Sequence, residues 1–220
     1  MLEDLFGNFP PAQKKAMQYD EYSLQASPPY FVAKSMAQII KDQYFLSNNP
    51  TKNPYVVDIM AGIGVTAIAF GKIFSKVIAI EKNIDRHEML INNIKHSKLT
   101  HIEPLIGDFR KMAAIYKVAD ILFIDPDRII KEKRPIIIKI KEALAEQKKE
   151  PRPEKYLNNM NDYVDAVDIL LEVREHPFIA IRVDFDINMI NLELLFVDKK
   201  ISVFDGRDSR LLIITPLLNL

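Results

Sequence analysis

The chain has no cysteine, which excludes disulfides, thiolate nucleophiles and cysteine-held metal sites together. It has no net charge either: 30 Lys plus Arg stand against 30 Asp plus Glu. A global basic field is thereby excluded, and any nucleic acid must be met by a local patch. No apolar run approaches the about 18–20 residues needed to span a bilayer, so no membrane partner is expected. The acidic opening Met1-Leu2-Glu3-Asp4-Leu5-Phe6 lacks the basic start and apolar run of a signal peptide. The expected location is the cytoplasm. The four histidines, His87, His96, His101 and His176, have no metal-ligand spacing. They read as ordinary surface or helix-end residues, and no metal is expected.

What is present is 220 residues with a hydrophobic share of 48%, which suits one globular domain. Residues 1 to about 30 read as irregular, punctuated by Pro10-Pro11 and Pro28-Pro29. Residues 31–44 read as a helix with Phe31, Met36, Ile39 and Ile40 on or near one face. Apolar strands are then expected at 55–59, 77–80, 101–106, 120–124 and 178–183, with helices at 65–74, 86–96 and 110–116 between the first four. Residues 200–204 and 210–215 form a hairpin around Asp205-Gly206-Arg207-Asp208. The expected fold class is α/β: a doubly wound, mostly parallel, Rossmann-like sheet with a terminal antiparallel hairpin. Residues 1–46 form a helical arm and 47–220 the main domain.

One connection breaks the rhythm. A parallel crossover needs only a dozen or more residues, yet the stretch from Asp127 to Pro177 holds two helix candidates, divided by Pro151-Arg152-Pro153. It reads either as an elongated crossover or as a substrate-facing insertion at about 129–176. Its basic residues, from Lys131 to Lys155, are mixed with Glu132, Glu142, Glu146 and Glu150. That mixture suits a solvated helix face, with an RNA-backbone patch as the alternative.

The stretch from Tyr55 to Glu81 carries the most chemistry. A strand runs into Asp58-Ile59-Met60-Ala61-Gly62-Ile63-Gly64, a helix follows, and a second strand ends on Glu81. Strand, glycine turn, helix, strand and acid form the half-site for an adenosine-containing cofactor. The run Gly62-Ile63-Gly64-Val65-Thr66-Ala67 also fits the dinucleotide fingerprint. Asp58 argues against that reading, because a carboxylate four residues before the first glycine repels a pyrophosphate. The four strand tips read Asp58, Glu81, Asp108 and Asp125, and in an open parallel sheet such tips line the ligand crevice.

The pattern Asp58-x-x-x-Gly62-x-Gly64 resembles motif I of the class I S-adenosylmethionine-dependent methyltransferases. The resemblance covers roughly residues 50 to 127. It implies S-adenosylmethionine as cofactor, held by Asp58, Met60, Gly62, Gly64, Glu81 and Asp108. Glu81 is expected to hold the ribose hydroxyls, Asp108 the adenine amine, and Asp58 to lie near the methionine ammonium. At the fourth tip, Asp125-Pro126-Asp127-Arg128 matches the acid and first proline of amino-methylating families and departs from their second proline and aromatic. Asp125 and Asp127 are the implied catalytic pair. Arg128 and Tyr30 are the implied substrate contacts, Tyr30 as a stacking wall.

Within the superfamily the chain is most similar to the RNA cap guanine-N2, or trimethylguanosine synthase, group. The shared features are the Asp58–Gly64 turn, Asn92-Asn93, Gly107-Asp108-Phe109 and Tyr19-Asp20-Glu21-Tyr22. That group's tip carries Ser-Pro-Pro-Trp, whereas this chain has no tryptophan. A second similar group, bacterial, reads Asp-Pro-Ala-Arg there. The implied activity is methylation of a nitrogen on a nucleic-acid base, with RNA as partner. The alternatives are a non-catalytic S-adenosylmethionine- or RNA-binding module and a dinucleotide-dependent oxidoreductase.

Overall fold

A computed structural model describes residues 5–7, 9–48, 53–126, 166–185, 187 and 189–217. Asp127, Arg128 and most of the expected insertion lie outside the described residues. Three helices come first: α1 (Pro11–Ala16), α2 (Glu21–Ala26) and α3 (Tyr30–Asn48). The core then runs β1 (Tyr55–Asp58), α4 (Val65–Gly71), β2 (Lys76–Glu81), α5 (Ile84–Ser97), β3 (Ile102–Ile106), α6 (Ala113–Tyr116) and β4 (Ile121–Ile124). Further along come α7 (Ala166–Glu172), which falls within the expected insertion, β5 (Ile179–Val183), α8 (Met189–Leu195), β6 (Lys199–Asp205) and β7 (Arg210–Pro216).

Seven strands form one sheet in the order β3-β2-β1-β4-β5-β7-β6. The first five are mutually parallel, while β7 runs antiparallel to both β5 and β6. All four residues of β4 and all five of β5 are buried, as expected for strands covered on both faces. One cluster holds the arm together with α3, α4 and α5: Phe6, Met17, Ala37, Ile40, Ile68, Phe70, Leu90 and Phe123 are among its members. The opposite cluster holds α6, α7 and α8 through Tyr116, Ile169, Leu170, Leu192 and Phe196.

The first thirty residues are more ordered than their composition suggests. Pro11 opens α1, where its missing N–H costs nothing. Asp20 caps α2 by accepting a hydrogen bond from the Ser23 amide at 2.6 Å. Both prolines and acid therefore act as start signals, not as breakers. His176 also departs from expectation. It is buried, with Nε2 3.1 Å from the Ala119 carbonyl and Nδ1 accepting from the Phe178 amide at 3.2 Å. It pins the entry of β5 to the entry of β4, and burial holds its pKa below the usual histidine range.

The arm is fastened to the sheet by one side chain. Asn93, on α5, is fully buried. Its Oδ1 accepts from the Gln18 amide at 2.7 Å, and its Nδ2 donates to the carbonyls of Gln18 (2.8 Å) and Ile63 (2.9 Å). Neighbouring Asn92 donates to the Ala16 carbonyl at 2.8 Å. One amide thus joins α5, the arm and the glycine turn. Asn93→Ala strands one buried and two part-buried backbone groups, and each orphan costs up to about 1–3 kcal/mol. The expected outcome is a loss of about 3 kcal/mol in unfolding free energy, measured by urea denaturation. An unchanged urea midpoint would remove Asn93 from this role.

Candidate active site

Side chains alternate between the two faces of a strand. Val56, Ala79, Phe123 and Ala180 all belong to the α3/α4 side of the core. Two residues further along their strands stand Asp58, Glu81, Asp125 and Arg182, which therefore face that same side. The register pairs Phe123 with Ala180, so Asp125 and Arg182 are level; it pairs Asp58 with Ala79, so Asp58 sits one pleat deeper than Glu81. Across β2, β1, β4 and β5 the sheet thus presents acid, acid, acid, cation.

These tips open into a cavity of about 780 Å³. Its walls include Ile59, Met60, Ala61 and Gly62 from the turn after β1, Glu81 to Arg86 after β2, and Gly107 to Arg110 after β3. Asp125 and Pro126 close it after β4, and Tyr22, Ser23, Ala26, Ser27 and Pro28 of the arm form the facing wall. The structure therefore brings together Met60, Gly62, Glu81, Asp108 and Asp125 around one space. Asp58 and Gly64 stand behind that surface. Tyr30 is placed elsewhere: its ring meets Phe9 edge-on at 5.7 Å and fills the space over Gly7. The aromatic of the arm that reaches the cavity is Tyr22, with the Arg86 guanidinium 3.9 Å from its ring centroid. Arg86 is also paired with Asp20 at 3.3 Å.

The glycine turn does two different jobs. Gly62 has φ +53° and open space where a Cβ would stand, so a ligand can approach its backbone. Gly64, the N-cap of α4, has φ +92° and a virtual Cβ only 2.5 Å from Leu90 Cδ1. It permits the close packing of α4 against α5 and does not face the cavity. Glu81 is buried, and its two oxygens accept from the amides of Gly62 and Asn83, each at 2.8 Å. Each oxygen keeps a second lone pair, which suits the two hydroxyls of a ribose. A carboxylate for a diol, an open glycine backbone and the apolar Ile59, Ile84 and Phe109 fit an adenosyl group.

Asp58 is completely buried. Thr66 Oγ1 donates to its Oδ2 at 2.6 Å and the Met60 amide to its Oδ1 at 3.3 Å. Burial pushes its carboxyl up to about 7; the Thr66 and Met60 hydrogen bonds oppose this, and the charges of Asp125 and Glu81 add to it. Asp108 behaves oppositely. Burial pulls its pKa upward, but hydrogen bonds and charge from Arg110 hold it below the usual carboxylate range. Arg110 Nε lies 2.9 and 3.0 Å from its two oxygens, so an adenine amine must share Asp108 with this guanidinium.

Arg182, Tyr22 and Arg86 escape a sequence reading. Arg182 interrupts the apolar run Ile179-Ala180-Ile181-Arg182-Val183, and a lone cation in a buried strand is the available signal. Its Nε lies 3.1 Å from Asp125 Oδ1, the approach of an ion pair and not of an aligned hydrogen bond.

Residues 33–137 match the family model of the TRM5/TYW2 methyltransferase domain. Over 73 residues the chain is 42% identical to a tRNA(Phe) (4-demethylwyosine(37)-C(7)) aminocarboxypropyltransferase from Methanocaldococcus jannaschii; the match covers 32% of this chain and 28% of that protein. Among solved structures, TrmN from Thermus thermophilus is similar with a TM-score of 0.57 at 15% identity, over 89% of this chain and 51% of that one. The N-terminal domain of human METTL16 in complex with SAH is similar with a TM-score of 0.53 at 11% identity, over 83% and 68%. The chain thus spans about half of TrmN's length and, in the matched region, 28% of the curated relative. The structural likenesses bear on fold alone, and the matched family model is that of the TRM5/TYW2 methyltransferase domain and not of the trimethylguanosine synthase group. Residues 33–137, just under half of the chain, thus resemble a TRM5/TYW2 methyltransferase domain, and the open Gly62 backbone and the Glu81 carboxylate suit S-adenosylmethionine as its cofactor.

Proposed function

We propose that the chain transfers the methyl group of S-adenosylmethionine to a nitrogen of a base in tRNA. The observation that carries this reading is the row of acids facing one cavity beside the open glycine turn, in a chain whose residues 33–137 match the TRM5/TYW2 methyltransferase domain and whose 42% identical relative is a tRNA(Phe) enzyme. The cofactor supplies an already activated, cationic methyl donor, so the protein's task is alignment and exclusion of water. Glu81 and Gly62 hold the adenosyl end. The Asp58 carboxylate lies deep and compensates positive charge at the amino-acid end. Asp125 and the backbone around Pro126 accept hydrogen bonds from the acceptor amine and orient its lone pair. Asp127, next in sequence, is the proton acceptor in this proposal, and Arg128 an RNA contact; both belong to the same motif. Tyr22, which reaches the cavity, replaces Tyr30 as the aromatic wall.

A second reading has its own observation. The 42% identical relative is an aminocarboxypropyltransferase, so the transferred group could be the cofactor's amino-acid chain. The two are separated by incubating tRNA with S-adenosylmethionine labelled in the methyl group and, in parallel, in the carboxyl carbon. Methyl label alone is expected to enter tRNA; carboxyl label would select the second reading. Asp125→Ala is expected to abolish transfer while S-adenosylhomocysteine affinity stays within about threefold. Transfer at the wild-type rate would move the acceptor site elsewhere.

Two predictions concern cofactor binding and pH. Glu81→Ala removes two charged hydrogen bonds worth about 1.5–3 kcal/mol each, so calorimetry with S-adenosylhomocysteine is expected to show affinity lower by at least about 100-fold. Unchanged affinity would remove Glu81 from the ribose site. For Asp58, the folded pKa of about 7 lies above the ordinary carboxylate value of 3.8. Its contribution to folding stability is therefore full below about pH 4 and is lost as pH rises through about 7. The melting temperature of the cofactor-free wild type, relative to Asp58→Asn, is expected to fall between about pH 5 and 8. A constant difference would show that Asp58 does not titrate in that window.

A further inference from the structure

Arg182 is one of the largest fully buried side chains in the protein, at 1% exposure, on a strand whose other members are aliphatic. A guanidinium is expensive to dehydrate and is kept in such a place only where its partners are fixed. Its partners come from two distant parts of the chain. Its Nε lies 3.1 Å from Asp125 Oδ1, at the β4 tip. Its Nη2 donates to the carbonyl of Ala26, the last residue of α2, at 3.0 Å across 156 residues of sequence. Ala26 and Asp125 stand on facing walls of the same cavity.

From this geometry we infer that Arg182 is a positioning residue for group transfer: it fixes the orientation of Asp125 and holds the C-terminal end of α2 at the distance that makes the acceptor half of the cavity. The inference rests on the acceptor reading above, in which Asp125 orients the amine. Three arguments support it. The register pairs Ile124 with Ile181, so Asp125, the first residue after β4, comes level with Arg182 on the adjacent parallel strand β5, and the sheet itself brings the pair together. Asp125 shares its crevice with Glu81, with Asp58 buried behind them, and Arg182 supplies the positive charge at the end of that row. The planar guanidinium presents separate N–H groups in a rigid fork, so one side chain can face a carboxylate and a carbonyl at once. An ammonium on a flexible stem carries the same charge without that fork. The contacts of Arg182 described above run to Asp125 and Ala26, on the acceptor side of the cavity. Its loss is therefore expected to affect transfer and spare cofactor affinity.

The test uses the full chain with Arg182→Met, Arg182→Lys, Asp125→Asn and the Asp125→Asn/Arg182→Met double variant. Each is checked for folding by circular dichroism, for S-adenosylhomocysteine affinity by calorimetry, and for single-turnover transfer to tRNA at saturating cofactor. Arg182→Met is expected to slow transfer by about 10- to 100-fold, the scale of a misplaced reacting group. Affinity for S-adenosylhomocysteine should stay within about threefold, and Arg182→Lys should recover part of the rate. Adding Arg182→Met to Asp125→Asn should slow transfer by less than about threefold, because two residues acting as one unit do not add. A wild-type rate in Arg182→Met, losses that multiply in the double variant, or an affinity loss equal to the rate loss overturns the inference. Should Arg182→Met not fold, Arg182→Lys decides: an intermediate rate at unchanged affinity supports the role, and an unchanged rate refutes it. A wild type that binds S-adenosylhomocysteine yet modifies no tRNA counts against the acceptor reading instead. In that case amide hydrogen exchange of the cofactor-free proteins decides for Arg182. Faster exchange at the Ser27 amide, which donates to the Ser23 carbonyl at 3.0 Å, supports the anchoring of α2; unchanged exchange in both Arg182 variants overturns it.

Discussion

A single dry amide organises this protein. Asn93 has no contact with water, yet it completes the hydrogen bonding of Gln18 in the arm and of Ile63 in the glycine turn. Unpaired, those backbone groups would make both segments costly to bury. Paired, they fix the arm on the same side of the sheet as the turn. Everything facing the cavity from the arm, from Tyr22 to Pro28, inherits its position from that anchor and from the Asp20–Arg86 pair. The Arg182–Ala26 hydrogen bond then fixes the other, C-terminal end of α2.

The two faces of the sheet have different work. On the α6/α7/α8 side, strand residues such as Val57, Ile80, Ile124 and Ile181 are aliphatic and only pack. On the other side, packing ends at the strand tips and charge begins. Glu81 and Asp125 face a crevice that a cationic cofactor can balance, with Asp58 and Arg182 buried behind it. Asp58 stores the unfavourable part of that arrangement: it is buried beside like charges, held by Thr66 and the Met60 amide, and pushed up to about 7. A site that is uncomfortable without a positive ligand is suited to binding one.

Local features were legible in the sequence and distant ones were not. The turn from Asp58 to Gly64, the acid at Glu81 and the strand alternation depend on neighbours within one βαβ unit, so spacing alone reveals them. Gly64 was identified for the right turn but the wrong job, because its left-handed φ is visible in the motif and its contact with Leu90 is not. Tyr30 looked like a free aromatic because its covering residue, Phe9, lies in a segment that reads as irregular. Asn93, His176 and Arg182 have partners 75, 57 and 156 residues away. No periodicity or motif carries such a pairing; only the assembled sheet does.

The sheet order also has a consequence for how the protein is made. β7 lies between β5 and β6, although both are synthesised before it. While a ribosome is still delivering the chain, β5 has β4 on one side and nothing on the other. The hairpin of β6 and β7 closes locally and then docks onto β5 as a unit, a non-local pairing of the slow kind. Until that moment the strand carrying Arg182 is a sheet edge open to water. The Arg182 side of the cavity is therefore completed only once β7 has been added, and half-made copies carry the glycine turn without it.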